Sequence, residues 1–238
     1  MLDLSEIDYL SFDCYGTLID WESGILGYLR PLLKSKRLEV TDGEILNLYS
    51  EFEPRQQEQT YKTYRVILAA VVRDFAAHFD FVVSDDEAAG LAESIRNWHP
   101  FPDTVAALRR LKTRYRLAVL SNIDDDLLAL TAPKLGVEFD CVVTAQQAGS
   151  YKPSLRNFEV LLQRLPVGKA QLLHVAESLY HDVVPARSLG IATVWVNRRQ
   201  GRSAAATKLA DAYPDLEVAT VEELADLAVS PSTRASIP

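Results

Sequence analysis

Near its start the chain contains the stretch Ser11-Phe12-Asp13-Cys14-Tyr15-Gly16-Thr17-Leu18. The apolar segment at residues 7–12 has the length of a buried strand. Gly16 and Thr17 favour a turn directly afterwards, because glycine adopts a positive φ without steric cost. Asp13 is therefore predicted at the carboxyl end of a strand, where open α/β sheets bind their ligands. An aspartate at such a place can be a nucleophile, a metal ligand or only a cap of the turn.

After Pro100 and Pro102 the sequence alternates between short apolar segments and amphipathic helical segments. Strands are predicted at residues 117–120, 141–143, 172–176, 192–196 and 217–218. Helices are predicted at residues 103–114, 125–135, 153–165, 183–189, 204–211 and 221–227. Strands rich in Val and Leu that alternate with helices are typical of a parallel sheet covered on both faces. We therefore expect an α/β fold with a doubly wound, Rossmann-like parallel sheet.

Between the first strand and Pro100 the pattern is almost entirely helical. We expect one helix from Gly24 and a second one capped by Thr41 or Asp42. A third is predicted at residues 61–79, and a fourth from the acidic run Ser84-Asp85-Asp86-Glu87 to about Trp98. The predicted organisation is an α/β core domain at residues 1–19 and 99–229, an inserted all-helical cap domain at 20–98, and a disordered tail at 230–238.

The composition describes an acidic protein of 238 residues with a formal charge of −8 and a pI near 5.1. That charge argues against nucleic acid or an anionic membrane as a partner, but it leaves room for a small acidic substrate in a locally positive pocket. Cys14 and Cys141 alone make no disulfide or zinc framework. We find no signal-peptide pattern and no apolar run of membrane-spanning length. We therefore expect a soluble, cytoplasmic protein.

Polar residues follow several of the predicted strands at the point where each strand ends. They are Asp13 after the first strand, Ser121 and Asn122 after 117–120, Lys152 after 141–143, and Glu177, Ser178 and Asp182 after 172–176. Each alone has an ordinary explanation as a cap or a surface residue. The carboxyl ends of parallel strands meet in one crevice, so we expect these side chains to converge there.

With these residues in order, the chain resembles the haloacid dehalogenase superfamily over nearly its whole length. Asp13-Cys14-Tyr15-Gly16-Thr17 is similar to the first motif of that superfamily, Ser121-Asn122 to the second and Tyr151-Lys152-Pro153 to the third. The segment Glu177-Ser178-Leu179-Tyr180-His181-Asp182 looks like a variant of the fourth, acidic motif. The resemblance implies the same α/β core with a helical cap after the first motif.

Tyr15 decides which branch of the superfamily the chain resembles. Phosphatases of the superfamily have a second aspartate two residues after the nucleophile, which protonates the leaving alkoxide. A tyrosine, with an ordinary pKa of about 10, is a poor acid for that step. A halide leaves without a proton, so the chain is more similar to the L-2-haloacid dehalogenases. The resemblance implies metal-independent hydrolysis of a small 2-haloacid, with no cofactor, through an ester between Asp13 and the substrate α-carbon.

The resemblance also assigns roles to the remaining catalytic residues. Lys152 would hold Asp13 ionised and neutralise charge near the substrate carboxylate. Thr17 would orient Asp13 by a hydrogen bond. Asp182 would position Lys152 or the water that hydrolyses the ester.

Substrate binding is assigned in the same way. Ser121, Asn122 and backbone N–H groups after Tyr15 would bind the substrate carboxylate. Tyr15 and Trp21 would form the wall of an apolar pocket, although both aromatic side chains could equally pack the cap against the core.

In the cap, residues 54–61 resemble the segment whose arginine receives the halide. This similarity puts forward Arg55, with Arg65 as its rival. An exposed helical arginine is the alternative for either residue.

Three positions depart from the dehalogenase pattern. Phe158 replaces a tyrosine, and Glu177 and Leu179 replace a serine and an asparagine in the fourth motif. Glu177 would line the substrate site, and it resembles the acidic pair that holds Mg²⁺ in the phosphatases. Asp13, Glu177 and Asp182 could therefore form a metal site of hard oxygen ligands. We favour an ion pair between Glu177 and Lys152 over a metal site.

These departures keep other functions open. One alternative is a Mg²⁺-dependent phosphatase of a small metabolite, and another is a hydrolase that opens a different carbon–heteroatom bond next to a carboxylate. A third is a non-catalytic protein that binds small acids. A homodimer would suit an apolar face on a cap helix.

Two further groups of residues are expected to have no role in the site. The arginines at 198 and 199 should lie on the surface after the strand at 192–196. The four histidines, His78, His99, His174 and His181, show no metal-ligand spacing, and we expect them to be structural or exposed.

Overall fold

A computed structural model describes residues 2–58, 60–198, 206 and 210–229. It contains one sheet of six parallel strands in the order β3-β2-β1-β4-β5-β6. The strands are β1 (Tyr9–Phe12), β2 (Arg116–Ser121), β3 (Cys141–Thr144), β4 (Leu172–Ala176), β5 (Ala192–Val196) and β6 (Leu216–Val218). The strand order reverses direction at β1, which pairs with β2 on one side and β4 on the other. The doubly wound parallel sheet predicted from the sequence is therefore confirmed.

Helices cover both faces of the sheet, and four more form the cap. The helices are α1 (Trp21–Ser35), α2 (Asp42–Gln57), α3 (Tyr64–His78), α4 (Asp85–Ser94), α5 (Thr104–Leu111), α6 (Asp125–Thr131), α7 (Ala145–Ala148), α8 (Leu155–Arg164), α9 (Val184–Ser188) and α10 (Val221–Val229). We call α1–α4 the cap, and the sheet with its remaining helices the core. None of the described helices is long and apolar enough to cross a membrane.

The alternation of side chains along β1 explains how it is buried on both sides. Leu10 and Phe12 pack into one apolar cluster together with α5 and α10, whereas Tyr9 packs into a second cluster with α8 and α9. Successive residues of a strand point to opposite faces, so a strand with helices on both sides is largely apolar. The exception in β1 is Ser11, whose buried hydroxyl lies 2.8 Å from His174 Nδ1.

The cap begins and ends at one narrow crossing of the chain. The Asp20 N–H donates to His99 O at 2.9 Å, and the Phe101 N–H donates to Leu18 O at 3.1 Å. A single bridge pairs Ile19 with Pro100. The two connections between core and cap therefore lie side by side, next to the end of β1.

The boundaries of the cap helices follow their caps. Thr41 accepts a hydrogen bond from the Glu44 N–H, and Ser84 forms a capping box with Glu87 at the start of α4. The third helix begins at Tyr64 rather than at residue 61, because Asp124 of the core accepts the N–H groups of its first turn.

Two sequence expectations are modified by the structure. A π-helical turn at Leu179–Val183 precedes α9, and the sequence did not predict it. Arg198 is not a surface residue: its side chain is 9% exposed, pairs with Asp103 at 2.8 Å and donates to Thr17 O. Most of the predicted helix at 204–211, as well as Arg199 and the tail at 230–238, lies outside the described residues.

Candidate active site

Asp13 is placed by β1 and by the tight turn that follows it. Its N–H donates to Val175 O of β4 at 3.1 Å, so its backbone continues the sheet by one residue. Gly16 then adopts a φ of +98°, which a side chain would disfavour, and a Cβ there would lie 3.1 Å from Trp21 Nε1. The turn thus needs a glycine, and it returns the chain past the end of β1. Asp13 consequently lies where the strand order reverses, the usual ligand site of such sheets.

The ammonium group of Lys152 bridges two buried carboxylates. Nζ lies 2.8 Å from Asp13 Oδ1 and 2.6 Å from Asp182 Oδ1, and it also donates to Leu120 O at 3.0 Å. The Lys152 side chain is 1% exposed, as is that of Asp182, whereas 10% of the Asp13 side chain remains accessible. The three charges are therefore arranged so that Asp13 is the carboxylate that meets the solvent.

The two carboxylates that share the Lys152 ammonium have pKa values shifted in opposite directions. Burial alone would lower the pKa of Lys152, but the adjacent Asp13 and Asp182 raise it, so the ammonium stays charged. Burial favours the neutral acid in Asp182 too, yet Lys152 and His174 hold the pKa of Asp182 below its usual range. For Asp13, burial prevails over Lys152 and raises the pKa. Asp13 is thus the more basic carboxylate of the pair.

Thr17 fixes the second oxygen of Asp13. Thr17 Oγ1 donates to Asp13 Oδ2 at 2.8 Å and accepts the Glu177 N–H at 2.9 Å. The hydroxyl is fully buried, so no water competes for it. Both oxygens of Asp13 therefore have a defined donor, and the carboxyl plane cannot rotate freely.

Asn122 acts on the backbone of Lys152. Its Oδ1 accepts the Lys152 N–H at 2.7 Å, and its Nδ2 donates to Lys152 O at 3.0 Å. The structure thus makes Asn122 a positioning residue for Lys152, where the sequence suggested a ligand of the substrate carboxylate. The Gly16 N–H is likewise used within the turn, on Ile19 O. The hydroxyl of Ser121, by contrast, has no hydrogen-bond partner among the described residues.

His174 supports Asp182 from the interior of β4. Its Nε2 lies 2.9 Å from Asp182 Oδ1, and its Nδ1 lies 2.8 Å from Ser11 Oγ. The edge of the Phe158 ring packs against it, with centroids 5.1 Å apart. His174, predicted to be structural or exposed, is buried and adjacent to the charged cluster. The sequence did contain a signal for this burial: His174 lies between Leu173 and Val175 in a strand, so its side chain points to the opposite face of the sheet.

The site is a small cavity between core and cap, with a volume of about 40 Å³. Three of the predicted catalytic residues line it: Asp13, Lys152 and Asp182. The predicted binding residues that line it are Tyr15, Trp21, Ser121, Asn122 and Glu177. Since roughly 10–15 Å³ of such space holds one water, the cavity accommodates a ligand of only a few atoms.

Tyr15 and Trp21 make the aromatic part of the wall. The Tyr15 hydroxyl lies 2.7 Å from Thr131 Oγ1, and its ring meets Trp98 edge-on at 5.8 Å. Burial raises the pKa of the Tyr15 phenol well above its usual range. Trp21 meets Tyr49 edge-on at 5.7 Å. Tyr15 is thus held by the core residue Thr131, and Trp21 packs within the cap, while both line the cavity. Tyr15 is also a weaker acid than a free tyrosine.

The structure brings neither candidate arginine of the cap into the cavity. The Arg55 side chain is 63% exposed, stacks on the Phe52 ring and lies 3.9 Å from Glu51. Arg65 pairs with Glu93 and Asp126 on the surface. The prediction of a halide-binding arginine at position 55 is therefore not supported by its position.

The cap instead contributes Glu53, which the sequence analysis did not single out. Residues two positions apart on a helix differ by a rotation of about 200° about its axis, so Glu53 and Arg55 lie on opposite faces of α2. Glu53 continues the buried series Ile45 and Tyr49 at intervals of four, and it lines the cavity. The interval of four residues therefore indicated that Glu53 lies on the buried, apolar face of α2.

Glu177 lines the cavity but does not pair with Lys152, so the predicted Lys152–Glu177 ion pair is wrong. Lys152 pairs with Asp13 and Asp182 instead. Over the described ranges, no group of three His, Cys, Asp or Glu side chains is arranged to hold a metal ion.

Comparisons with known proteins agree with this geometry. The model of the haloacid dehalogenase-like hydrolases matches residues 7–190. The (S)-2-haloacid dehalogenase H-109 of Pseudomonas putida is 27% identical over 237 residues, covering 94% of this chain and 98% of its own. The glyceraldehyde 3-phosphate phosphatase of Methanothermobacter thermautotrophicus is 29% identical over 159 residues, covering 60% of this chain and 70% of its own.

A solved structure supports the fold. The L-2-haloacid dehalogenase of Xanthobacter autotrophicus with chloropropionic acid covalently bound superposes with a TM-score of 0.78 at 19% identity, covering 95% of this chain and all of that chain. The match of the family model to most of the chain agrees with the strand-end motifs and the cap. The chain therefore belongs to the haloacid dehalogenase-like hydrolases.

Proposed function

We propose that the protein hydrolyses a small 2-haloacid in two steps. Asp13 Oδ1 or Oδ2 attacks the α-carbon, the carbon–halogen bond breaks, and the halide leaves with the bonding electrons. Water then attacks the Asp13 carbonyl carbon and releases the 2-hydroxy acid, which restores the carboxylate. The names of the relatives point to this reaction class.

The observation that carries the proposal is the state of Asp13. It lies 2.8 Å from the Lys152 ammonium, is oriented by Thr17, and is the more accessible of the two carboxylates in the cluster. Its raised pKa makes it a stronger nucleophile than an ordinary aspartate. The cavity is small and partly aromatic, which suits a short acid.

Tyr15 supports a leaving group that departs without a proton. Its hydroxyl is engaged with Thr131, and burial raises its pKa, so it is a poor general acid for a leaving alkoxide. The Ser121 hydroxyl faces the same cavity and is the donor we assign to the substrate carboxylate. No metal takes part in the proposed steps.

A panel of substrates tests this function. Haloacetates, 2-halopropionates and a generic aryl phosphate are incubated with and without Mg²⁺, and halide or phosphate release is measured. We expect halide release that is independent of Mg²⁺ and lost in Asp13→Asn. Halide release by Asp13→Asn at the wild-type rate would rule out the mechanism.

A Mg²⁺-dependent phosphatase is the second candidate. The phosphatase relative and the Glu177 carboxylate in the cavity favour it, whereas Tyr15 argues against it. Phosphate release that requires Mg²⁺, with no halide release, would establish it in place of the dehalogenase. Calorimetric binding of small acids without any turnover would instead indicate a binding protein.

A further inference from the structure

Glu53 is the acidic group on the cap side of the cavity. It is 5% exposed, and its Oε1 accepts hydrogen bonds from the Tyr64 hydroxyl at 3.2 Å and from the Gln57 amide. Its Oε2 accepts none from the described residues, although Glu53 lines the cavity. One carboxyl oxygen is thus anchored in the cap, and the other is available to a ligand.

The direction of the displacement determines which part of the substrate lies near Glu53 Oε2. The nucleophile, the carbon and the leaving group must lie in line, so the leaving group points away from Asp13. Asp13 belongs to the core, and the cap contributes Trp21, Glu53 and Tyr64 to the cavity wall. The departing group therefore leaves towards these three side chains. Neither Arg55 nor Arg65 is there to receive an anion.

We propose that Glu53, in its protonated form, donates a hydrogen bond from Oε2 to the departing halide and so is a catalytic residue of the displacement. This inference rests on the dehalogenase function proposed above. The bonding electrons leave with the halide, and the proton stays on Glu53. A small, hard halide accepts such a bond more strongly, so the class favoured by Glu53 is the 2-fluoro acids.

The protonated form is accessible near neutral pH. Burial raises the pKa of Glu53 to about 7, with the Tyr64 hydrogen bond opposing that rise. Ionised Glu53 would repel a leaving halide, so activity should fall as the pH rises through that value. Tyr49 and Tyr64 face Glu53 within the cap, and Tyr151 faces it from the core. Across the cavity the charged or titratable groups are Asp13, Lys152, Glu177, His181 and Asp182.

The main test is the pH dependence of fluoride release from fluoroacetate by Glu53→Gln. The amide still donates a hydrogen bond but does not titrate, so we expect activity to persist and the alkaline decline near pH 7 to disappear. Glu51→Gln is the matched control, because Glu51 is an exposed acid on the same helix; it should keep the wild-type profile. An unchanged decline in Glu53→Gln contradicts the proposal, as does activity that rises with pH through 7.

Two more variants sharpen the assignment. Tyr64→Phe removes the hydrogen bond that stabilises ionised Glu53, so the alkaline decline should shift to higher pH; a shift to lower pH would contradict the proposal. Glu53→Ala should lower fluoride release about tenfold to a hundredfold more than bromide release, as expected for a lost hydrogen bond to an anion. An equal loss for both halides would overturn the role in leaving-group departure.

The two proposals fail in different ways. If wild-type protein releases no halide from any haloacid, the dehalogenase function is wrong. If it releases halide and Glu53→Gln keeps the wild-type pH profile, the dehalogenase function stands and only the role of Glu53 is wrong. Circular dichroism and the thermal midpoint of each variant establish that it is folded.

Discussion

The ammonium nitrogen of Lys152 lies 2.8 Å from Asp13 Oδ1, and neither group has more than a tenth of its side chain exposed. The same nitrogen contacts Asp182 at 2.6 Å. A buried cation between two carboxylates is indispensable to both, because removing one member of such a cluster leaves uncompensated charge.

Lys152→Met should therefore lower both activity and stability. Asp13 and Asp182 would face each other without a counter-charge, so we expect a loss of about 3–5 kcal/mol in the free energy of unfolding and a fall in kcat of roughly a hundred- to a thousandfold. Urea titration and halide release measure the two effects. Lys112→Met is the control, since the Lys112–Asp140 pair is about one-third exposed and should contribute at most about 1 kcal/mol. Equal stability losses in the two variants would contradict the buried cluster.

The decline of activity at low pH should reflect the protonation of Asp13. The nucleophile acts as a carboxylate, and burial raises its pKa, so activity should be present above that raised value and lost as the pH falls through it. We expect the acid midpoint of kcat/KM above about 4, the ordinary value for an aspartate. Initial rates of halide release across the acid range measure it. A midpoint below that of an ordinary aspartate is the contrary result.

His174→Gln should make the protein more sensitive to acid. His174 and Lys152 hold the pKa of Asp182 low, so the stability that Asp182 contributes is present above its unfolded pKa and is lost only as the pH falls through the lower folded value. Without the imidazole the folded pKa rises, and acid unfolding, followed by circular dichroism, should begin at a higher pH. His78→Gln, at an exposed position, should unfold as the wild type does; identical acid midpoints for both variants would refute the role of His174.

Asp124→Ala should loosen the contact between core and cap. Asp124 is 2% exposed, and its two oxygens accept the Tyr64 and Arg65 N–H groups at 2.9 and 3.0 Å. Loss of such a cap costs about 0.5–2 kcal/mol, and we expect a higher KM and faster proteolytic cleavage between core and cap. Asp126→Ala removes only an exposed partner of Arg65 and serves as the control. A KM unchanged in Asp124→Ala would show that this contact does not position the cap over the cavity.

The sequence predicted the convergence of Asp13, Lys152 and Asp182 because that convergence is a property of the sheet. Each residue follows a strand or its loop, and parallel strands deliver their carboxyl ends to one edge. Residues placed by the backbone topology are therefore visible in the order of strands and motifs alone.

The sequence placed neither Arg55 nor Arg198 correctly, because those positions depend on packing between elements. Which face of α2 meets the core is decided by the rotation of that helix, and motif similarity put forward the wrong face. Arg198 is buried because Asp103 and Phe101 meet it from another part of the chain. The contact of Arg198 has no local sequence signal, whereas the buried face of α2 follows from the spacing of Ile45, Tyr49 and Glu53.

A single turnover in H₂¹⁸O with enzyme in excess over a haloacid tests most directly whether Asp13 forms the ester. Water attacks the Asp13 carbonyl carbon in the proposed reaction, so one ¹⁸O should enter Asp13, and the hydroxy acid should carry an unlabelled oxygen taken from that side chain. Mass spectrometry of the peptide that contains Asp13 and of the product gives both readings. Labelled product with an unlabelled Asp13 would show that water attacks the substrate directly, and it would contradict the account.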